Sequence, residues 1–335
     1  MLVRNWMVPL FLTGLGIGAA AIYFAYARTG SHLPTDVVAV TGHSPTKIPM
    51  ESSPHKAVTS PPLIKQADDP VDRFHIVEVS AKKALDGDGM AARIVATSLW
   101  DCLPMKAMYG NTPDPRTAFL RAEAAKKNLP QWAADRDETQ FRSCERFFKE
   151  DPFAGLPPRD AGYMSIKLWT NLAYQNKDPV ALTEHVSEQM MSSVRNSAGR
   201  HDPAIYQTLQ PDVNQAAESG DPEALFRVGM FLVNGSTGED TIRASAVQLA
   251  ACDLGYDCTT RNEFAFGPCL LSGNCQEGDI YTDRVRQMLG EGGYAKAYAL
   301  AQQLETALVQ HDTVAIDQIV RIVPSQVVNN DTTGR

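Results

Sequence analysis

The chain contains no run of alternating β-branched and polar residues, so a sheet-based core is not expected anywhere along its 335 residues. It has no His-Glu-x-x-His pair, no Gly-x-Ser-x-Gly elbow, no P-loop and no dinucleotide fingerprint after a strand. The commonest sequence marks of zinc hydrolases, serine hydrolases and nucleotide enzymes are therefore missing. Cys-x-x-Cys is missing too, so nothing points to thiol–disulfide exchange. Basic charge is scarce: 31 Lys and Arg face 39 Asp and Glu, for a formal net charge of -8. Residues 1–70 hold five basic and four acidic side chains, which leaves 26 against 35, or -9, for the remainder. A nucleic-acid backbone is bound by clustered Lys and Arg that displace its counterions, and no such stripe follows residue 70. No nucleic-acid partner is expected.

Long apolar runs are also missing, with one exception. Met7 to Ala27 (MVPLFLTGLGIGAAAIYFAYA) is uncharged for 21 residues and is bracketed by Arg4 and Arg28. A helix of that length, at about 1.5 Å per residue, covers the roughly 30 Å hydrocarbon core, whereas the apolar part of a cleaved signal is about 7–15 residues. The expectation is an uncleaved anchor over residues 1–28 that crosses a bacterial inner membrane once, with the remainder of the chain periplasmic. The competing reading is a cleaved export signal, because Ala25-Tyr26-Ala27 offers the small-x-small pattern; cleavage at Ala27 would free a secreted or periplasmic protein. Gly14 and Gly18 form a GxxxG spacing that permits dimerisation of the span, although glycine and alanine are common in membrane helices for other reasons.

Residues 29–70 carry seven prolines among Ser, Thr, His and Lys, with no helical or strand period. They read as a disordered tether whose mean reach is about 35 Å. From Val71 onward the pattern becomes repeated segments with apolar spacings of three and four, such as Val71 to Leu85, Met90 to Trp100, Trp132 to Phe148, Gly162 to Tyr174 and Tyr294 to Val309. The fold class expected is all-α, a helical-hairpin, solenoid-like domain over residues 71–324, with a disordered tail at 325–335. Helix starts share an Asp-Pro device at Asp178-Pro179, Asp202-Pro203 and Asp221-Pro222. Asp178, Asp202 and Asp221 are each expected to cap first-turn amides, while the proline at the first helical position has no amide to leave unpaired. Asp86-Gly87-Asp88 and His311-Asp312 are looser versions of the same signal.

Residues 216–256 are more specific. Ala217, Gly220, Ala224, Gly229, Gly235, Asp240, Ala244, Ala250, Ala251 and Gly255 stand where a Sel-one-like repeat, a relative of the tetratricopeptide repeat, places its small residues and turns. The segment resembles one copy of that repeat, and no second copy follows at the family's fixed period. The resemblance implies stacked antiparallel helix pairs presenting a surface to a partner, as in scaffolds and adaptors. On physical grounds alone, small residues at helix crossings allow close approach, and Gly235 and Gly255 suit helix C-termini.

Six cysteines follow the membrane segment: Cys102, Cys144, Cys252, Cys258, Cys269 and Cys275. An even number in an oxidising compartment reads as structural disulfides. Cys102 and Cys144 lie near the ends of segments that can pack together and are expected to pair. The other four are spaced Cys-x5-Cys-x10-Cys-x5-Cys, which leaves three connectivities open. A zinc site would ordinarily use ligand pairs two to four residues apart, closer than these, and is the lesser reading.

Other chemistry-bearing residues are few. His75 with Glu78 and His185 with Glu188 stand one helical turn apart, but without a third partner each reads as a solvated helix face. Glu263, beside Phe264-Ala265-Phe266, is the nearest thing to the buried general acid of a muramidase-type enzyme, and a surface position is the simpler reading. Trp100, Trp132 and Trp169 lie at helical spacing among apolar residues and are expected in the core. No catalytic, metal-binding or cofactor-binding residue is assigned, and no cofactor is expected. The function expected is a membrane-tethered periplasmic scaffold or adaptor that binds another envelope protein. The alternatives are a peptidoglycan-active enzyme of glycosidase type and an anchored periplasmic chaperone. The lipase-specific foldases resemble this layout, but their Arg-x-x-Phe-Asp-Tyr signature is absent, the nearest stretch being Arg116 to Arg121.

Overall fold

Aspartate, proline and glycine punctuate the chain where its helices begin and end. The structure, a computed structural model, describes residues 71–125, 131–154, 156, 163–196, 203–232, 238–262, 264–267, 276 and 278–322. The anchor and its Gly14, Gly18 and Ala27, the tether, Asp202, Gly235, Glu263, Cys269, Cys275 and the tail lie outside the described residues. Among those described, the architecture is all-α, with a lone antiparallel bridge between Thr259 and Ile280. No described helix is long and apolar enough to cross a membrane.

The helices in order are α1 (Arg73–Leu85), α2 (Gly89–Tyr109), α3 (Pro115–Ala125), α4 (Gln131–Cys144) followed by a 3-10 turn (Glu145–Phe148), α5 (Tyr163–Gln175), α6 (Pro179–Asn196), α7 (Pro203–Glu218), α8 (Pro222–Leu232), α9 (Gly238–Asp253), α10 (Tyr281–Gln310) and α11 (Thr313–Val320). Their starts follow the capping logic. Asp178 Oδ1 accepts from the Ala181 amide at 2.9 Å, and Asp221 Oδ1 accepts from the Ala224 amide at 2.9 Å. Asp72, Asp88 and Asp312 do the same for α1, α2 and α11. Each such cap is worth about 1 kcal/mol relative to alanine. Gly255, just past α9, sits at φ 107, a left-handed conformation that side chains resist.

Chain neighbours pack as antiparallel pairs: α1 on α2, α6 on α7, and α8 on α9, while α5 lies on α2 and α10 on α9. Two apolar cores result. The first joins Phe74, Val77, Ala81 and Ala84 of α1 to Val95, Leu99 and Cys102 of α2, with Phe147 and Trp169. The second gathers α6 to α11 around Val186, Leu209, Phe226, Val247 and Leu304. Small residues set how close its helices come. A Cβ at Gly229 of α8 would meet the Ala244 carbonyl of α9 at 2.9 Å and run into the Gln248 side chain. Any larger residue there would drive α8 and α9 apart.

Three expectations need correction. Trp132 to Phe148 is not one helix: α4 stops at Cys144, where the chain tightens into the 3-10 turn. That turn carries Phe147 into the first core, edge-on to Phe74 at 5.5 Å. Met90 to Trp100 is too short, because α2 continues through Pro104 to Tyr109. Trp132 and Trp169 are buried as expected, but Trp100 is 52% exposed. It lies on the side of α2 turned away from α1 and α5.

Cys102 and Cys144 are joined, both fully buried, with Cα atoms 5.2 Å apart. Of the connectivities open for the other four, the structure contains the neighbour pair Cys252–Cys258. The first bridge ties α2 to the end of α4 across a sequence separation of 42. Closing a loop of that size stabilises the fold by about 4 kcal/mol in the chain-entropy picture. Replacing both cysteines by alanine (C102A with C144A) should therefore lower the unfolding free energy by about 2–4 kcal/mol in a denaturant titration. An unchanged midpoint would show that the bridge does not constrain the unfolded chain.

Candidate functional site

Where the two cores meet, five charged side chains from three helices form a continuous ladder. Arg93 of α2 donates through Nε to Asp178 Oδ2 at 3.2 Å and through Nη1 to Glu223 Oε2 at 3.2 Å. Arg227 of α8 donates through Nη2 to Glu223 Oε1 at 2.8 Å and through Nη1 to Glu184 Oε1 at 3.0 Å. The order Asp178, Arg93, Glu223, Arg227, Glu184 alternates in sign throughout. The Asp178 side chain is fully buried, and both arginine side chains are 17% exposed. Burial works against the charge on Arg93, but Asp178, Glu223 and Asp221 outweigh it and raise its pKa further. Burial pushes the Asp178 carboxyl up, more than Arg93 and the Ala181 amide pull it down. Arg227 also lies over the ring of Phe264 at 4.6 Å, a cation–π contact.

This ladder brings together two of the expected caps, Asp178 and Asp221, which share the field of one guanidinium. Asp178 thus caps α6 and holds Arg93 at once. Arg93, Glu184, Glu223 and Arg227 were not anticipated. The only local signals were the (i, i+4) spacing of Glu223 and Arg227 and an arginine inside the apolar run Met90 to Leu99. The histidines play small parts. His75 Nδ1 is 3.6 Å from Glu78 Oε2 on an exposed face, while Glu188 pairs with Lys167 at 3.9 Å. His185 stacks on Tyr174 at 4.1 Å, and Tyr174 donates its hydroxyl hydrogen to Asp212 Oδ2 at 3.3 Å. Among the described residues no three or more His, Cys, Asp or Glu converge to hold a metal ion.

A shallow, open concavity lies elsewhere, between α10 and α11. Its volume is about 440 Å³, open to solvent, and it is lined by Ala299, Gln302, Gln303, Thr306, Ala307, Gln310, Asp312 and Ala315. Val309 and Val314 stand 68% and 66% exposed on the two helices that form it. From Gly292 to Gln310 the only charged side chains are Lys296 and Glu305, although 21% of the chain is charged. The groove is therefore poor in charge for an acidic domain, with Asp312 the one charged side chain among its lining residues.

Glu305 faces away from the groove, toward α9. There its carboxyl shares a hydrogen bond with Asp253, and burial together with that neighbouring carboxylate pushes its pKa up to about 7. The same burial and the nearby acids raise the Tyr298 hydroxyl. Neither carboxylate lines the groove, so the pair does not flank a cleft in the way a glycoside hydrolase requires.

No protein-family model matches the chain, and no match is found among curated proteins or among solved structures.

Two outcomes follow from these charges. Removing one member of the ladder leaves a buried charge uncompensated, so Arg93→Met should cost roughly 3–5 kcal/mol in chemical denaturation. Arg286→Met, which breaks an exposed pair with Asp283, should cost under about 1 kcal/mol. Equal losses from the two would deny the ladder its role. Glu305 has its folded pKa, about 7, above the ordinary value of 4.5. The folded state therefore binds the extra proton between those values, and its advantage is full below 4.5 and lost as pH rises through 7. Thermal unfolding across this range should show the wild type losing stability relative to Glu305→Gln as pH rises, whereas parallel profiles would rule out the shared proton.

Proposed function

We propose that this chain is a membrane-tethered periplasmic scaffold, or adaptor, whose helical domain binds another envelope protein through the groove between α10 and α11. The observation that carries the reading is the charge-poor groove itself. A domain of net charge -9 keeps its exposed surface solvated nearly everywhere, yet lines this groove with alanine, glutamine, threonine and a single carboxylate, Asp312, and carries the exposed Val309 and Val314 on the same two helices. Charge is depleted and apolar area enriched at the centre of protein interfaces. Glutamine and threonine supply hydrogen bonds that cost little to desolvate compared with Lys or Glu. An extended segment or a helix of the partner, poor in charge, suits such a groove.

Other features support the cellular setting. The apolar run Met7 to Ala27 has the length of a span, the tether gives reach, and paired cysteines belong to an oxidising compartment. The likeness of residues 216–256 to a Sel-one-like repeat adds the scaffold class, in which helix pairs stack to present a surface. In this reading the domain is a solenoid-like stack whose last pair carries the contact face.

The test uses the full chain in its own membrane. A photo-crosslinking phenylalanine at Gln303 should yield one discrete adduct with an envelope protein, and that adduct should disappear when Val309 and Val314 are both changed to Asp. Absence of any adduct from Gln303, with robust adducts from an exposed control position such as Lys83, would overturn the assignment of this face. Release of peptidoglycan fragments by the purified full-length protein would overturn the non-catalytic reading.

A further inference from the structure

Helix α2 carries a second unpartnered surface, and its position identifies what covers it. Trp100, Pro104 and Met108 stand four residues apart on one side of the helix, with Ala107 beside them, and all are exposed. Trp100 is 52% and Met108 56% exposed. The proline adds a polar element. Having no amide, Pro104 gives no helical hydrogen bond to the Trp100 carbonyl, which leaves an acceptor on the same strip. An aromatic ring, a proline, a thioether and a free carbonyl in a row suit an extended, proline-containing strand better than a helix.

The chain itself supplies a segment of that composition immediately before α1. Arg73, the first residue of α1, is bound to Asp101 at 2.7 Å, so the described chain starts level with Trp100. Beyond that level α2 runs on for two turns with no part of α1 alongside. The ten residues before Val71 read Pro61-Pro62-Leu63-Ile64-Lys65-Gln66-Ala67-Asp68-Asp69-Pro70. Their first four are apolar, and none of those four is charged. From Ile64 to Pro70 an extended chain reaches about 20 Å, while Trp100 and Met108 are about 12 Å apart along the helix axis. So short a connection holds the segment at an effective concentration in the millimolar range or above, where a small apolar contact is enough for occupancy.

We propose that Pro61-Pro62-Leu63-Ile64 docks on the Trp100, Pro104 and Met108 strip, as an intramolecular latch. Leu63 and Ile64 cover the ring and the thioether, and a backbone amide of the segment donates to the Trp100 carbonyl. Docked, the latch takes the last ten residues of the tether out of play and fixes where the remainder of it leaves the domain.

A photo-crosslinking phenylalanine placed at Trp100 in the full-length protein tests this. The site is on the surface, so the substitution spares both cores. The expected product is an adduct at the mass of one chain, mapped by mass spectrometry to the peptide containing residues 61–66. Its yield should fall about tenfold when Leu63 and Ile64 are both changed to Ser, with the thermal midpoint of the domain unchanged. An adduct at the mass of two chains would overturn the latch in favour of self-association, and one with another protein in favour of a docking partner. An intrachain adduct that maps elsewhere, or no adduct while the same probe at Gln303 or Lys83 reacts, would also overturn it. None of these results depends on the groove between α10 and α11, so the two proposals fail separately.

Discussion

The guanidinium of Arg93 is the point on which the two halves of the described domain converge. It comes from α2, which belongs to the first core, and it is held by Asp178 and Glu223 at the starts of α6 and α8, which belong to the second. Taking these groups out of water costs several kcal/mol per ion, and the attraction between them does little more than offset that cost. The ladder therefore adds little net stability. Its effect is on geometry: any sliding of α2 against α6 or α8 would strand a buried charge. Two apolar cores can pack against one another in many registers, and an alternating ladder permits one.

The neighbours of this junction share the constraint. Gly89, at the start of α2, lies so close to the Asn176 carbonyl that a Cβ would meet it at 2.9 Å. The turn leading to Asp178 is thus pressed against the turn leading to Arg93. Lys177 takes a positive φ of 61 in that same turn, a conformation that a non-glycine residue holds only when its surroundings require it. Far from the junction, ion pairs are looser. Arg146 joins Asp72 and Glu150 and lies over Phe74 at 4.0 Å, yet all three charged groups are substantially exposed, and solvent screening leaves such pairs little hold on the fold.

Local signals in the sequence translate into structure where the physics is itself local. The caps at Asp178 and Asp221 are legible because a carboxylate and the amide it accepts from are three residues apart. The pairing of Cys102 with Cys144 is legible because both lie near the ends of expected helical segments that can pack together, although Cys102 falls inside the longer α2. All-helical character is legible from apolar spacing. Helix α2 defeats the same method. Its sequence from Met90 to Met108 is apolar nearly all round, so periodicity cannot say which side is buried. Trp100 fell on the outer side and Arg93 at the junction, and only the packing of α1, α4 and α5 on α2 and the reach of Arg93 to Asp178 and Glu223 decide that. The 3-10 turn after Cys144 is likewise set by where Phe147 must go, a distant demand that no window of the sequence contains. The groove between α10 and α11 was missed because its signal is a scarcity of charge, which composition averages conceal.

A helix that is apolar all round is ordinarily sunk in a core, with neighbours on every side. Helix α2 has α1, α3, α4, the 3-10 turn and α5 packed on it, yet Trp100, Pro104 and Met108 stay exposed. Scattered exposed apolar residues need no explanation, since more than half of any protein surface is apolar. The strip is different because its members are in line, are uncharged for two turns, and lie close to the start of α1. The groove on α10 repeats the pattern at the opposite end of the chain. The domain thus puts its strongest electrostatic interactions inside, at the junction, and reserves charge-poor surface for two outer helices. Specificity of internal register and freedom of external contact are separated in space, and for that reason a substitution in one should leave the other intact.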